Sequence, residues 1–296
     1  MKVHDYFAVI FSSRNRERVE RITLLLSLIG FIIHATLIGI NSFFDFELLD
    51  RELLKNPISA IYTPFSFILI YEIFLLVYYL PRSFTTSLIK QFEIICLILI
   101  RKVFNDVTQI DFPNASFNDA SLINLLVDLG CVLLLMLIIV WFHKTNRRIV
   151  ELTSKTSADE KESFPYFKKA IAVILLVVIL LVSVIHLIDF VYLEMNDEHL
   201  IKGMNNNLNS IFYQDFFTLL ILSDVLILLL SYGLTSNHFK LLRNTGFVIS
   251  TILLRLSFGA QGVMNALLII LGGLFGYAII RLYYSYLNTS TNQFFQ

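Results

Sequence analysis

Between Arg21 and Tyr286 the chain keeps returning to runs of apolar residues long enough to cross a bilayer. The stretch from Leu122 to Trp141 is broken only by Asn124 and Asp128 among its apolar side chains. About twenty helical residues match the hydrocarbon core, and only helices or closed barrels satisfy their backbone hydrogen bonds there. Of the 296 residues, 56% are hydrophobic and 27 are Phe, whereas soluble domains are roughly 45–50% apolar. The runs therefore predict an all-α, polytopic integral membrane protein.

Their breaks place eight helices, at 21–41, 57–80, 84–108, 121–143, 170–193, 211–234, 246–258 and 262–286. Together they make one transmembrane domain, 21–286, between a basic N-terminus, 1–20, and a tail, 287–296. Asn56-Pro57 reads as a cap followed by proline at the first helical position, and Pro81 ends the second helix. Ser83 is placed to cap the third. Pro64, inside the second, is expected to kink it. The run from Thr245 to Tyr286 is too long for one crossing, so Gly259-Ala260-Gln261-Gly262 is taken as its break. Because 246–258 is short, a re-entrant hairpin with seven crossings in all is the alternative. The first twenty residues are polar and basic, with Arg14, Arg16 and Arg18, and do not read as a cleavable signal peptide.

The bases fix an orientation. With the N-terminus inside, the inner segments 1–21, 81–90, 144–169 and 238–244 hold sixteen Lys and Arg, and the outer loops hold three, Arg51, Lys55 and Lys202. That bias predicts both termini in the cytoplasm. The richness in Ile, Phe, Asn and Lys suggests an AT-rich bacterial source, hence an inner membrane. Formal net charge is zero, which argues against nucleic-acid binding. Cys96 and Cys131 lie in apolar runs and read as small core residues.

Segment 84–108 carries the sharpest constraint. Thr86, Lys90, Glu93, Leu97, Arg101, Phe104 and Thr108 share one helix face, and Ile94, Ile95, Ile98, Leu99 and Val103 lie opposite. A charge at the bilayer centre costs roughly 2.5 kcal/mol or more, so the stripe is expected to face other helices and find partners there. Counting depth along the segments groups Glu72, Glu93, Asp224 and Arg255 in an inner layer. His34, Arg101, Asp128, His186 and Asp189 fall in an outer one, with Asp215 nearer the rim. Intramembrane ionisable groups mark ion paths or proton relays. The expectation is thus a channel or carrier for a small cation or protons, lined by Glu72, Glu93, Asp224, Arg255, Arg101, Asp128, His186 and Asp189. The competing account pairs Arg255 with Asp224 or Glu72, and Arg101 with Asp128, as structural ion pairs.

Two other classes remain open. His34, Asp128, His186 and Asp189 are able to ligate zinc, the basis for a membrane-embedded hydrolase, but no HExxH or paired-histidine spacing supports it. A non-catalytic scaffold or sensor subunit would use the charged 144–169 stretch for a cytoplasmic partner. No cofactor motif, P-loop, GxSxG element or TVGYG-like filter is present. Gly272 and Gly276 form a small-xxx-small step, suited to close packing within the chain or to a homo-oligomer seam.

Overall fold

The computed structural model describes residues 11–44, 60–108, 120–155, 165–196, 201–234, 237–260 and 262–294. Among them there are eight helices and no strand. They are α1 (Ser13–Phe44), α2 (Tyr62–Tyr79), α3 (Phe84–Thr108), α4 (Ala120–Lys155), α5 (Pro165–Asn196), α6 (Ile201–Leu234), α7 (His238–Ser257) and α8 (Val263–Phe294). Four contain stretches long and apolar enough to span a membrane, Ser13–Ser42, Ser121–Thr153, Asp215–Gly233 and Val263–Thr289. The protein is thus a helical protein of membrane type.

Burial follows the pattern a lipid solvent demands. Leu25, Leu28, Ile32, Leu133, Leu229, Leu267 and Leu271 point outward, while Glu72, Asp128, Asp224, Arg255, Ser250 and Ser257 are buried. In water this arrangement exposes apolar surface and desolvates charge; in hydrocarbon both terms change sign.

The chain divides into two compact units, Met1–Tyr78 with Cys96–Leu129, and Tyr79–Ile95 with Gly130–Gln296. In the first, α1 and α2 run antiparallel. Tyr71 donates to Glu20 at 3.0 Å, the Ser27 hydroxyl donates to the Pro64 carbonyl at 3.0 Å, and His34 Nδ1 lies 2.6 Å from Thr63 Oγ1. Pro64 does not kink α2. The helix starts at Tyr62, so the proline sits in the first turn, where an N–H has no intrahelical partner to lose.

In the second unit α7 packs most extensively on α8 as an antiparallel hairpin. Phe239 stacks on Tyr286 at one end, ring centroids 3.8 Å apart, and Ser250 donates to the Gly272 carbonyl at 2.6 Å further along. The two helices approach closely because glycine leaves room. A Cβ on Gly276 would meet Ser250 Oγ at 2.7 Å and Phe92 at 3.0 Å, and one on Gly272 would meet the Ser250 carbonyl at 3.1 Å. The small-residue step is therefore used inside the chain. α4 runs parallel to α8, with Trp141 against Tyr277 and Leu135 and Ile138 against Gly273. The free cysteines Cys96 and Cys131 are both buried.

Several helix ends differ from expectation, among them α1, which begins at Ser13 rather than 21, and α8, which runs on to Phe294. α7 begins at His238, not at 246, because Asn237 Oδ1 accepts from the backbone N–H of Phe239 (3.0 Å) and Lys240 (3.2 Å) and draws the basic connection into the helix. α4 continues through the charged stretch to Lys155, and α6 takes in the Asn-rich segment from Ile201. The break after α7 ends on Gly262, whose φ of 57° is open to glycine and strained for other residues.

Candidate functional site

The charged stripe of α3 is not its buried face. Ile94, Ile95, Ile98 and Leu99 are buried, whereas Leu97 is 50% exposed and the Lys90 and Glu93 side chains are each about a third exposed. The apolar face supplies the packing area, and the charges settle on its flank with partners beside them.

Glu93 is held by Lys90, one turn earlier, at 2.6 Å and by His143 Nε2 of α4 at 2.9 Å. It does not join Asp224 and Arg255, although the three lie in the same unit. In the first unit Arg101 pairs with Glu72 at 3.3 Å and donates to the Phe65 carbonyl at 3.2 Å. Asp128 is taken by Lys102 at 2.7 Å, so the anticipated Arg101–Asp128 pair is not formed. Of the zinc candidates, His34 is engaged by Thr63 and Asp128 by Lys102. Among the described residues no three metal-capable side chains come together. The side chains of His186 and Asp189, on α5, lie outside the described residues.

The most developed polar centre is in the second unit, where α3, α6 and α7 meet. Arg255 Nη1 lies 2.8 Å from Asp224 Oδ2, with the arginine side chain 2% and the aspartate 9% exposed. Arg255 Nη2 donates to Gln91 Oε1 at 3.2 Å, and Gln91 Nε2 donates to Ser87 Oγ at 3.2 Å. Thr251 Oγ1 lies 3.1 Å from Asp224 Oδ2 and 2.8 Å from the Val248 carbonyl. Arg255 occupies the last turn of α7, where the negative end of the helix dipole favours a cation.

Beside this network lies a cavity of about 20 Å³, lined by Phe84, Ser87, Leu88, Gln91, Asp224, Phe247, Val248 and Thr251, enough for one water molecule. Phe84, Ser87, Leu88 and Gln91 are one face of α3 at i, i+3, i+4 and i+7. Sequence reasoning overlooked Ser87, Gln91 and Thr251, together with Lys102 and His143. The available signal was a polar pair four residues apart inside an otherwise apolar helix face.

Asp224 lies near the middle of the apolar part of α6, Asp215–Gly233. Toward the N-terminal end of the apolar part of α6, Phe217 stacks on Phe258 with centroids 4.5 Å apart; toward its C-terminal end the Tyr232 hydroxyl lies 3.0 Å from Thr245 Oγ1. Asp224 stands about 10 Å along the helix from the first of these and about 12 Å from the second. Comparison with protein-family models, curated proteins and solved structures finds no match to this chain.

Proposed function

We propose that this chain is an eight-crossing protein of the bacterial inner membrane, both termini cytoplasmic, that carries protons or a small cation past Asp224 and Arg255. The observation that carries this reading is the water-sized, half-open cleft against a buried carboxylate, whose lining sets Ser87, Gln91 and Thr251 among Phe84, Leu88, Phe247 and Val248. A structural ion pair in hydrocarbon needs no such space, whereas an ion route does. Within the second unit α6 runs antiparallel to α7, α7 antiparallel to α8, and α4 parallel to α8, as alternating crossings require. The positive-inside bias supports the orientation, and the Ile-, Phe-, Asn- and Lys-rich composition the bacterial source. In the same unit the Lys90–Glu93–His143 group is a neutralised set; in the first unit Glu72–Arg101 and Lys102–Asp128 are neutralised pairs.

The test is flux into proteoliposomes. Asp224→Asn is expected to abolish it and Glu93→Gln to preserve most of it; full flux in Asp224→Asn ends the proposal.

One observation favours a second reading, a scaffold or sensor subunit held together by ion pairs. Glu72, Glu93, Asp128 and Asp224 each have a basic partner within 3.3 Å. Under that reading no ion moves, and the chain is recovered with a second protein bound.

A further inference from the structure

Resting on the transport reading above, we propose that the Asp224 site passes protons and excludes metal cations, with Thr251 as the hydroxyl that serves both protonation states of the carboxylate. The first ground is the supply of ligands. Sodium and potassium bind through shells of several oxygens, and a buried cation lacking them keeps its full desolvation cost. The cavity offers Ser87, Gln91, Asp224 and Thr251. Gln91 Oε1 already accepts from Arg255, Ser87 Oγ already accepts from Gln91, and the Asp224 carboxylate already faces the guanidinium. The half-open cleft has space of about 20 Å³, enough for one water. A proton needs neither volume nor a shell, since it is held by one covalent O–H bond.

The second ground is the position of Thr251. Its single hydroxyl proton has two acceptors in reach, Asp224 Oδ2 at 3.1 Å and the Val248 carbonyl at 2.8 Å. When Asp224 is ionised, Thr251 donates to the carboxylate. When Asp224 is protonated, Thr251 turns its proton to Val248 and accepts from the carboxyl O–H. Neither state leaves a buried polar atom unpaired at this contact, so each is free of the penalty for an unmade bond. Protonation removes the charge opposite Arg255, whose guanidinium then keeps Gln91 Oε1 and the C-terminal end of α7, so the electrostatic cost of proton loading falls on this residue.

The step balances simply. A hydronium ion entering the cavity breaks one O–H bond, the Asp224 carboxylate forms one, and neutral water remains. Release on the other side is the reverse, and no electrons change hands. Thr251 is a positioning residue in this step.

The experiment uses the full chain in liposomes loaded with a pH-sensitive dye, under an imposed pH gradient in sodium, potassium or N-methylglucamine buffer. Proton flux is expected at the same rate in all three, with sodium and rubidium tracer uptake at the level of empty liposomes. Thr251→Ser is expected to match the native chain and Thr251→Val to slow flux by about tenfold, the worth of one hydrogen bond. Flux that requires sodium or potassium, or tracer uptake above background, overturns the proton assignment. Equal rates for Thr251→Val and the native chain overturn the role of Thr251. Movement of neither protons nor tracer overturns the transport reading itself. Infrared spectra supply a readout apart from flux. A protonated-carboxyl band should grow on acidification, shift in Thr251→Val and vanish in Asp224→Asn; a native spectrum without it refutes proton loading.

Discussion

Arg255 and Asp224 each hold a charge that the other makes tolerable, and that mutual dependence dictates how substitutions behave. Removing one member leaves the other buried and uncompensated. Asp224→Ala or Arg255→Ala is expected to cost about 3–5 kcal/mol, read as a drop in the thermal unfolding midpoint of detergent-solubilised protein. The double variant Asp224→Leu with Arg255→Met is expected to regain most of that loss, because an apolar pair of similar volume has no ion to desolvate. If the double variant keeps both stability and flux, the pair is structural only. Glu93 offers the contrast. Its side chain is a third exposed and flanked by Lys90 and His143, so Glu93→Gln is expected to shift stability by less than about 1 kcal/mol.

Helices carry a second set of consequences. Gly276 lies where α8 meets Ser250 and Phe92, and Gly276→Leu is expected to cost about 1–3 kcal/mol by overpacking against those two side chains. Asn237→Ala, which removes the cap of α7, is expected to cost about 1 kcal/mol. Pro64→Ala should change stability by no more than about 1 kcal/mol, since no kink depends on it; all three are checked by the same unfolding midpoint. The helices themselves were legible in the sequence because apolar runs and capping residues act locally. Their pairings were legible only in part: Arg255 with Asp224 was among those anticipated and forms, at 2.8 Å. Depth counting put Arg101 and Asp128 at one level, yet Arg101 and Lys102 differ by one residue in depth and by about 100° around the helix. That angle sends the first to Glu72 and the second to Asp128. Depth alone grouped Glu93 with Asp224 and Arg255, whereas Gln91, about 200° away around the helix, is the residue that faces Arg255.

For the molecule as a whole, the placement of polar groups inside and leucines outside predicts that the chain stays with the membrane pellet under alkaline carbonate washing. Its orientation is checked with single cysteines at positions 5 and 290 and an impermeant thiol reagent, which should react only from the cytoplasmic side. The native Cys96 and Cys131 are buried and should give little background. Asp224 lies about halfway between the Phe217–Phe258 and Tyr232–Thr245 contacts, and this has an electrical meaning. A proton that reaches it from either bulk phase traverses about half the membrane potential, worth about 1 kcal/mol per 100 mV. Occupancy of the carboxyl on the proton reading is therefore voltage-sensitive, and a jump in potential should draw a brief capacitive current even when no steady flow follows.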